Sequence, residues 1–266
     1  MTIPRLLTIA GSDSGGGAGI QADLKAFARC GCHGMTAITA ITAQNTREVS
    51  AVYPLPPEAV VEQVRSVVED IGVDAVKIGM LGSTDTIAAV ERALDLVGDV
   101  PVVIDPVMVA ESGAVLLGHD ARQALRDRLL VRATVVTPNV PEARVLAGAG
   151  EGTDAPELAR MVRALGTAAV VVTGGHREEV TDTFFDGSEP PVPITGPRHP
   201  GGAAHGSGCT HASALAAHLA QGFSPLEAAR AAKEIAGESV RDGLSEIGEG
   251  PGPVNVLGLG RGTAPT

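Results

Sequence analysis

The sequence predicts an α/β fold built on a parallel sheet, and three observations carry that reading. Short aliphatic or β-branched runs alternate with helix-length amphipathic segments, the rhythm of parallel strands joined by crossover helices. Residues able to do chemistry cluster directly after those runs, where an open parallel sheet presents its strand ends. A chain of 266 residues, 44% of them hydrophobic, is long enough to bury one sizeable core, so a single domain over 1–266 is expected.

The elements follow in order. Leu6–Ala10 reads as the first strand, "GSDSGGGAG" at 11–19 as a turn, and Ile20–Arg29 as a helix. Gly15, Gly16, Gly17 and Gly19 permit positive φ and close backbone approach, which makes a phosphate the first suspect for that turn. Further strands are expected at Met35–Thr42, Ala75–Gly79, Val100–Asp105, Ala133–Thr137 and Ala168–Thr173. Helices are expected at Pro57–Asp70, Thr84–Leu96, Asp120–Leu130, Pro141–Ala147, Ala155–Leu165, Thr210–Gln221 and Pro225–Arg241. Two segments break the rhythm: "VSAVYPL" after the second strand, and "VTDTFFDGSEPPVPI" near 180–194, which reads as a hairpin. They are candidates for a small lid or edge sheet. From about 250 the glycine- and proline-rich tail is expected to be poorly ordered.

Composition removes several functions. A formal net charge of −11, from 31 acidic and 20 basic residues, with four Phe, one Tyr and no Trp to stack on bases, argues against nucleic acid. No run approaches the roughly 20 apolar residues of a membrane span, and the start lacks a signal-peptide pattern. Three cysteines are too few for a disulfide framework, so a soluble chain of the reducing cytoplasm is expected. "CGCH" at 30–33 invites a zinc reading, but Cys30, Cys32 and His33 have no second ligand pair at useful spacing.

The strand ends carry "TAQNT" (42–46), "KIGML" (77–81), "DPVM" (105–108), "TPNVPEA" (137–143), "TGGH" (173–176) and "HGSGCT" (205–210), besides the first glycine turn. A dinucleotide fingerprint is not matched, and the P-loop pattern is absent. The strongest anion candidate is Gly206–Ser207–Gly208, leading into an alanine-rich helix. Consecutive amides at a helix start form an anion nest, and the same field lowers the pKa of a thiol on the first turn. Cys209 is therefore either a general base facing a phosphate site or a small cysteine at a tight helix start.

In their order, "TIAGSDSGGGAGIQADLK", "AQNT", "KIGML", "DPVM", "TPNVPEA", "GGH" and "HGSGCT" resemble the bacterial hydroxymethylpyrimidine/phosphomethylpyrimidine kinases of thiamine biosynthesis, a branch of the ribokinase superfamily, over residues 5 to about 240. The resemblance implies a three-layer α/β/α fold, ATP and Mg²⁺, and phosphorylation of 4-amino-5-hydroxymethyl-2-methylpyrimidine and then of its monophosphate. It also implies a homodimer.

Roles follow from the same resemblance. Asp23, on the margin of its helix and so half inside, and Gln44 would contact the pyrimidine and its hydroxymethyl group; the alternatives are a solvated helix-edge aspartate and a loop-capping amide. Gly11, Met80 and Val107 would wall the pocket, with plain core packing open for Met80. Asp105 and Glu142 resemble the acidic pair that holds Mg²⁺, against a turn cap and a helix-start acid. Asn139 and Thr173 would approach the nucleotide, and Lys77 would anchor phosphate or simply snorkel. Departures lie on the phosphate side: Thr173 stands where the family often has lysine, "PGGAA" fills 200–204, Ser207 replaces threonine, and Gly15 replaces serine or threonine. Vitamin B6 kinases share many of these motifs and often have that threonine, so a B6 kinase is the alternative, with a non-catalytic pyrimidine-binding protein as the third reading.

Overall fold

The computed structural model describes residues 2–110, 113–174 and 180–260. In chain order the elements are β1 (Arg5–Asp13), α1 (Gly19–Arg29), β2 (His33–Gln44), β3 (Val49–Pro54), α2 (Pro57–Asp70), β4 (Ala75–Ile78), α3 (Thr84–Val97) and β5 (Val102–Ile104). After these come α4 (His119–Ala124), β6 (Val135–Val136), α5 (Val140–Ala147), α6 (Ala155–Arg163), β7 (Ala169–Val172), β8 (Val180–Phe185), β9 (Val192–Gly196), α7 (Ser207–Ala220) and α8 (Pro225–Arg241). The strands make one sheet, in the order β3-β2-β1-β4-β5-β6-β7-β8-β9. Its centre, from β2 to β7, is parallel, while β3, β8 and β9 pair antiparallel at the two edges. The two segments that break the sequence rhythm are thus the edges of the main sheet and not a separate one.

Strand parity sorts the side chains into two cores. Leu7, Ile9, Val76, Ile78, Val102 and Ile104 face the layer of α2 to α6, whereas Leu6, Ala75, Val103 and Val135 face α1, α7 and α8. Successive strand residues alternate faces. Thr8, Lys77 and Asp105 therefore fall on the α1/α7 side, where Thr8 is in register with Lys77 and Lys77 with Val103. All three are buried. β1 lies between β2 and β4, so the chain builds the sheet to one side of β1 first and then crosses to the other. Such a reversal of strand order opens a crevice at the strand ends.

Two local expectations are corrected. The helix expected over Asp120–Leu130 keeps α-helical geometry only to Ala124, then widens into a π turn at Leu125–Leu129 and a 3₁₀ turn at Leu130–Arg132. The wider turn brings Leu125, Leu129 and Leu130 into the core together, which regular α-spacing would not. The tail from about 250 is not uniformly loose: Val254, Asn255 and Val256 are buried, and Val254 and Val256 pack with Ala26 of α1.

Candidate active site

A buried charge cluster lies beneath the ends of β1, β4 and β5. Lys77 is 0% exposed, with Nζ 2.9 Å from Asp23 Oδ1 and 4.0 Å from Asp105 Oδ2. Asp23 is also 0% exposed and accepts from Thr8 Oγ1 (2.6 Å) and Ser213 Oγ (2.7 Å). The expected half-buried position of Asp23 is corrected, because α1 turns that carboxylate into the sheet, where Thr8, Ser213 and Lys77 donate to its oxygens. Lys77 does not snorkel, because its whole side chain is enclosed. Burial pulls its ammonium down, but the charge of Asp23, with that of Asp105, outweighs this and holds it above the ordinary lysine value. Gly79 leaves room for that ammonium, since a Cβ there would stand 2.8 Å from Nζ.

Cys209 is the third residue of α7, on the first turn as expected. Its buried thiol sits within the field of Lys77, Asp105 and Asp23. The expected lowered pKa is corrected: burial pushes the thiol up to about 12, against the opposing pull of Lys77. The chain alone holds a neutral thiol. Gly206, at φ 86° and packed against the Gly17 carbonyl, starts α7 with no side-chain cap; the Ser207 amide donates to the Ala204 carbonyl at 3.0 Å, which leaves the next amides, of Gly208 and Cys209, facing the helix start.

The first glycine turn is built differently. Asp13 accepts from the amides of Gly15 (2.8 Å), Gly17 (3.1 Å) and Ala18 (2.8 Å), and its Oδ2 lies 3.2 Å from His205 Nε2. Burial alone would raise this carboxyl, but His205 and the amides of Ala18 and Gly15 outweigh it and hold it below the usual range. A phosphate at this turn is corrected to a resident carboxylate. Its glycines serve close packing: a Cβ on Gly17 would strike the His205 ring, and one on Gly19 the Gly11 carbonyl.

Asp105 and Glu142 do converge. Burial pushes Asp105 up to about 6 despite Lys77, and Glu142 up to about 7 through burial and then the charge of Asp105. Glu142 also completes a capping box with Asn139, accepting from its amide at 3.0 Å while Asn139 Oδ1 accepts from the Glu142 amide at 2.9 Å. The helix-start role and the acidic pair coexist in one side chain. Asn139 bridges to Thr173, which places these two residues side by side. His176 lies outside the described residues.

On the opposite rim, Met80 lies across Gly11, where a Cβ would come within 2.5 Å of its Cε. Val107 lines a narrow cleft with Gly79, Leu81 and Pro106. Gln44 is half-buried, and Ser14 pins its backbone, donating to the Gln44 carbonyl at 2.6 Å and accepting from its amide at 2.8 Å. Sequence reasoning missed Thr8, Asp13 and Ser213, together with the Asp182 carboxylate, which accepts from Lys233 Nζ (2.7 Å) and the Gly174 amide (3.0 Å). Parity in β1 was the available signal for Thr8.

A parallel sheet with an acid pair, a buried lysine and a helix-start cysteine converging at its strand ends defines a small-molecule phosphotransferase of the ribokinase-like class. The profile of the family described as phosphomethylpyrimidine kinase matches residues 13–255. The hydroxymethylpyrimidine/phosphomethylpyrimidine kinase of Bacillus subtilis (strain 168) is 44% identical, covering 100% of this chain and 99% of its own length. That of Rhizobium meliloti (strain 1021) is 49% identical over 94% and 95%. Among solved structures, the pyridoxal kinase of Staphylococcus aureus in complex with AMP-PCP is similar at a TM-score of 0.89 and 34% identity, over 98% and 96%. Phosphomethylpyrimidine kinase from Clostridium difficile 630 is similar at 0.76 and 37%, over 88% and 97%. The chain belongs to the hydroxymethylpyrimidine/phosphomethylpyrimidine kinase family.

Proposed function

We propose that the chain transfers the γ-phosphoryl group of ATP to the hydroxymethyl oxygen of 4-amino-5-hydroxymethyl-2-methylpyrimidine, and in a second turnover to the phosphate of that product. The observation that carries this reading is Cys209 on the first turn of α7, the helix that packs through Ser213 onto the buried Asp23–Lys77–Asp105 cluster. In the first turnover the O–H bond of the alcohol breaks, its proton passes to Cys209 acting as base, and the oxygen takes the phosphoryl group as ADP leaves. Burial keeps the free chain's cysteine neutral, so it acts as base only after its own proton has passed to bulk water as the site is loaded; Lys77 is the fixed charge that favours the thiolate. Asp23 holds Lys77 in place through the buried pair.

Asp105 and Glu142 suit Mg²⁺. Each is a hard oxygen donor, and Glu142 is pushed up partly by the charge of Asp105, a repulsion that a cation between them relieves. When bound, the ion neutralises phosphate charge. The Gly206–Ser207–Gly208 turn offers the Gly208 amide to the transferred group, the Ser207 amide being held by the Ala204 carbonyl, and Asn139 and Thr173 stand on the nucleotide side. Gln44, which can donate and accept together, pairs with the aminopyrimidine edge, walled by Gly11, Met80 and Val107. We assign the chain a cytoplasmic, homodimeric state; the edge of the sheet exposes the cross-strand pair Ile41 and Tyr53 on one face, an apolar pair that a second copy would cover. Sedimentation equilibrium giving a monomer would reject the dimer.

The deciding experiment offers the purified chain ATP and Mg²⁺ with the pyrimidine alcohol, its monophosphate or pyridoxal, and resolves mono- from diphosphorylated products. Both pyrimidine steps are expected. Thr173 and the fold likeness to pyridoxal kinases favour the B6 reading, which replaces this one if pyridoxal is turned over as well or better. No product from any acceptor would leave the non-catalytic reading.

A further inference from the structure

The segment after α8 runs Gly248–Glu249–Gly250–Pro251–Gly252–Pro253–Val254–Asn255, with a glycine at alternate positions. Composition alone suggests looseness, yet these glycines sit against other chain segments at close quarters. A Cβ on Gly248 would strike the Thr46 side chain, one on Gly250 the Thr46 carbonyl oxygen, and one on Gly252 the Leu244 carbonyl oxygen, each nearer than real Cβ contacts come. The Gly250 amide also donates to Thr46 Oγ1 at 3.2 Å. The segment therefore lies flush on the turn two residues past Gln44, while Ser14 grips that turn at Gln44 itself.

The other end of the segment is tied to the phosphate side. The Val254 amide donates to the His205 carbonyl at 3.0 Å, the Leu244 amide to the Pro253 carbonyl at 2.9 Å, and the Asn255 amide to the Ser239 carbonyl at 2.9 Å. Arg29 Nη1 donates to the Val256 carbonyl at 2.9 Å, which fastens the same stretch to α1. His205 begins the loop that leads to Cys209, and its ring meets Asp13. One stretch of backbone thus spans from the Gln44 turn to the loop before Cys209. The Arg47–Glu249 ion pair on its outer side is 63% and 77% exposed, so it contributes little to that hold.

We infer that residues 244–256 form a strap that sets where Gln44 stands relative to Cys209, with Gly248 and Gly250 as positioning residues for the alcohol substrate. The inference rests on the reading of Gln44 as the pyrimidine contact. A side chain at Gly250 must push the Thr46 backbone away, and Gln44 moves with it. Displacement of a positioning contact by about 1 Å costs up to roughly 100-fold in rate.

The test compares wild type, Gly250→Ala, Thr46→Val and Gln44→Ala, with KM and kcat measured separately for the pyrimidine alcohol and for ATP, alongside Tm. Gly250→Ala is expected to raise the pyrimidine KM roughly tenfold or more, leaving the ATP KM and Tm near their wild-type values. Thr46→Val, which removes only the acceptor of the Gly250 amide, is expected to shift the same KM less and in the same direction; it decides the matter if Gly250→Ala does not fold. An unchanged pyrimidine KM in the folded variants, or a parallel change in both KM values and Tm, overturns the strap. An unchanged pyrimidine KM in Gln44→Ala overturns the assignment of Gln44 instead.

Discussion

Replacing Asp23 by Asn tests the buried charge cluster most directly. The Lys77 ammonium lies 2.9 Å from Asp23 and 4.0 Å from Asp105, and no water reaches it at 0% exposure. At an effective dielectric of about 20, those separations correspond to attractions of about 6 and about 4 kcal/mol. The substitution deletes the larger and leaves a buried cation half-compensated, while Thr8 and Ser213 lose their charged acceptor. Breaking one side of a buried pair costs about 3–5 kcal/mol, a large share of the 5–15 kcal/mol that stabilises a typical domain. Equilibrium urea unfolding should show that loss in Asp23→Asn. In Asp23→Asn/Lys77→Met the unpaired cation is gone, so the double variant should lose at least about 2 kcal/mol less than the sum of the single losses. Additive losses would refute the pairing. Asp23→Asn should also lower kcat more than it raises the pyrimidine KM, because it acts through Lys77. A raised pyrimidine KM at wild-type stability would mean that Asp23 touches substrate after all.

Three other outcomes follow. Cys209→Ala should lower turnover by roughly 10²- to 10⁴-fold with pyrimidine binding by calorimetry nearly unchanged, and near-normal turnover would return the cysteine to a packing role. Glu142 keeps a raised pKa, about 7, so without divalent metal the folded chain retains a proton that the unfolded chain releases from about pH 4.5 upward. Wild-type stability relative to Glu142→Gln should therefore fall as pH rises through that window and level off above 7, with Mg²⁺ reducing the fall; parallel stability curves would contradict this. Gln44→Met should erase most of a preference for the pyrimidine over pyridoxal, a preference of about 5- to 150-fold if one unpaired polar group decides it, and an unaltered kcat/KM ratio would remove Gln44 from recognition.

Much of the fold was legible because its strands are aliphatic runs with a turn or helix on either side. Even the edges showed, as the two segments that broke the rhythm. Lys77 was misjudged although the cue was present: it follows Ala75 by two, so a buried Ala75 facing α1 places the lysine on that same side. What it meets there was not readable, since Thr8, Asp23 and Ser213 come together only through packing of β1, α1 and α7. The position of Cys209 on the first turn could be read, but its raised pKa depends on how deeply the turn is buried. Glycine spacing misled twice. In the first turn it suggested a phosphate where the chain supplies Asp13, and in the tail it suggested disorder where Gly250 marks close contact.

The two glycine loops that meet at Gly17 and Gly206 differ in what can compete for their amides. The first is saturated from within: Asp13 is tethered to the very amides it binds, so its effective concentration there exceeds that of any diffusing anion, and its occupancy does not vary with nucleotide supply. The second leaves the Gly208 and Cys209 amides without a side-chain acceptor, so on the proposed reading their occupancy follows the ligand. The shared wall is therefore half fixture and half sensor. Hydrogen-exchange protection at Gly15 and Gly17 should be the same with and without nucleotide, while the amides of Gly208 and Cys209 should gain protection as it binds.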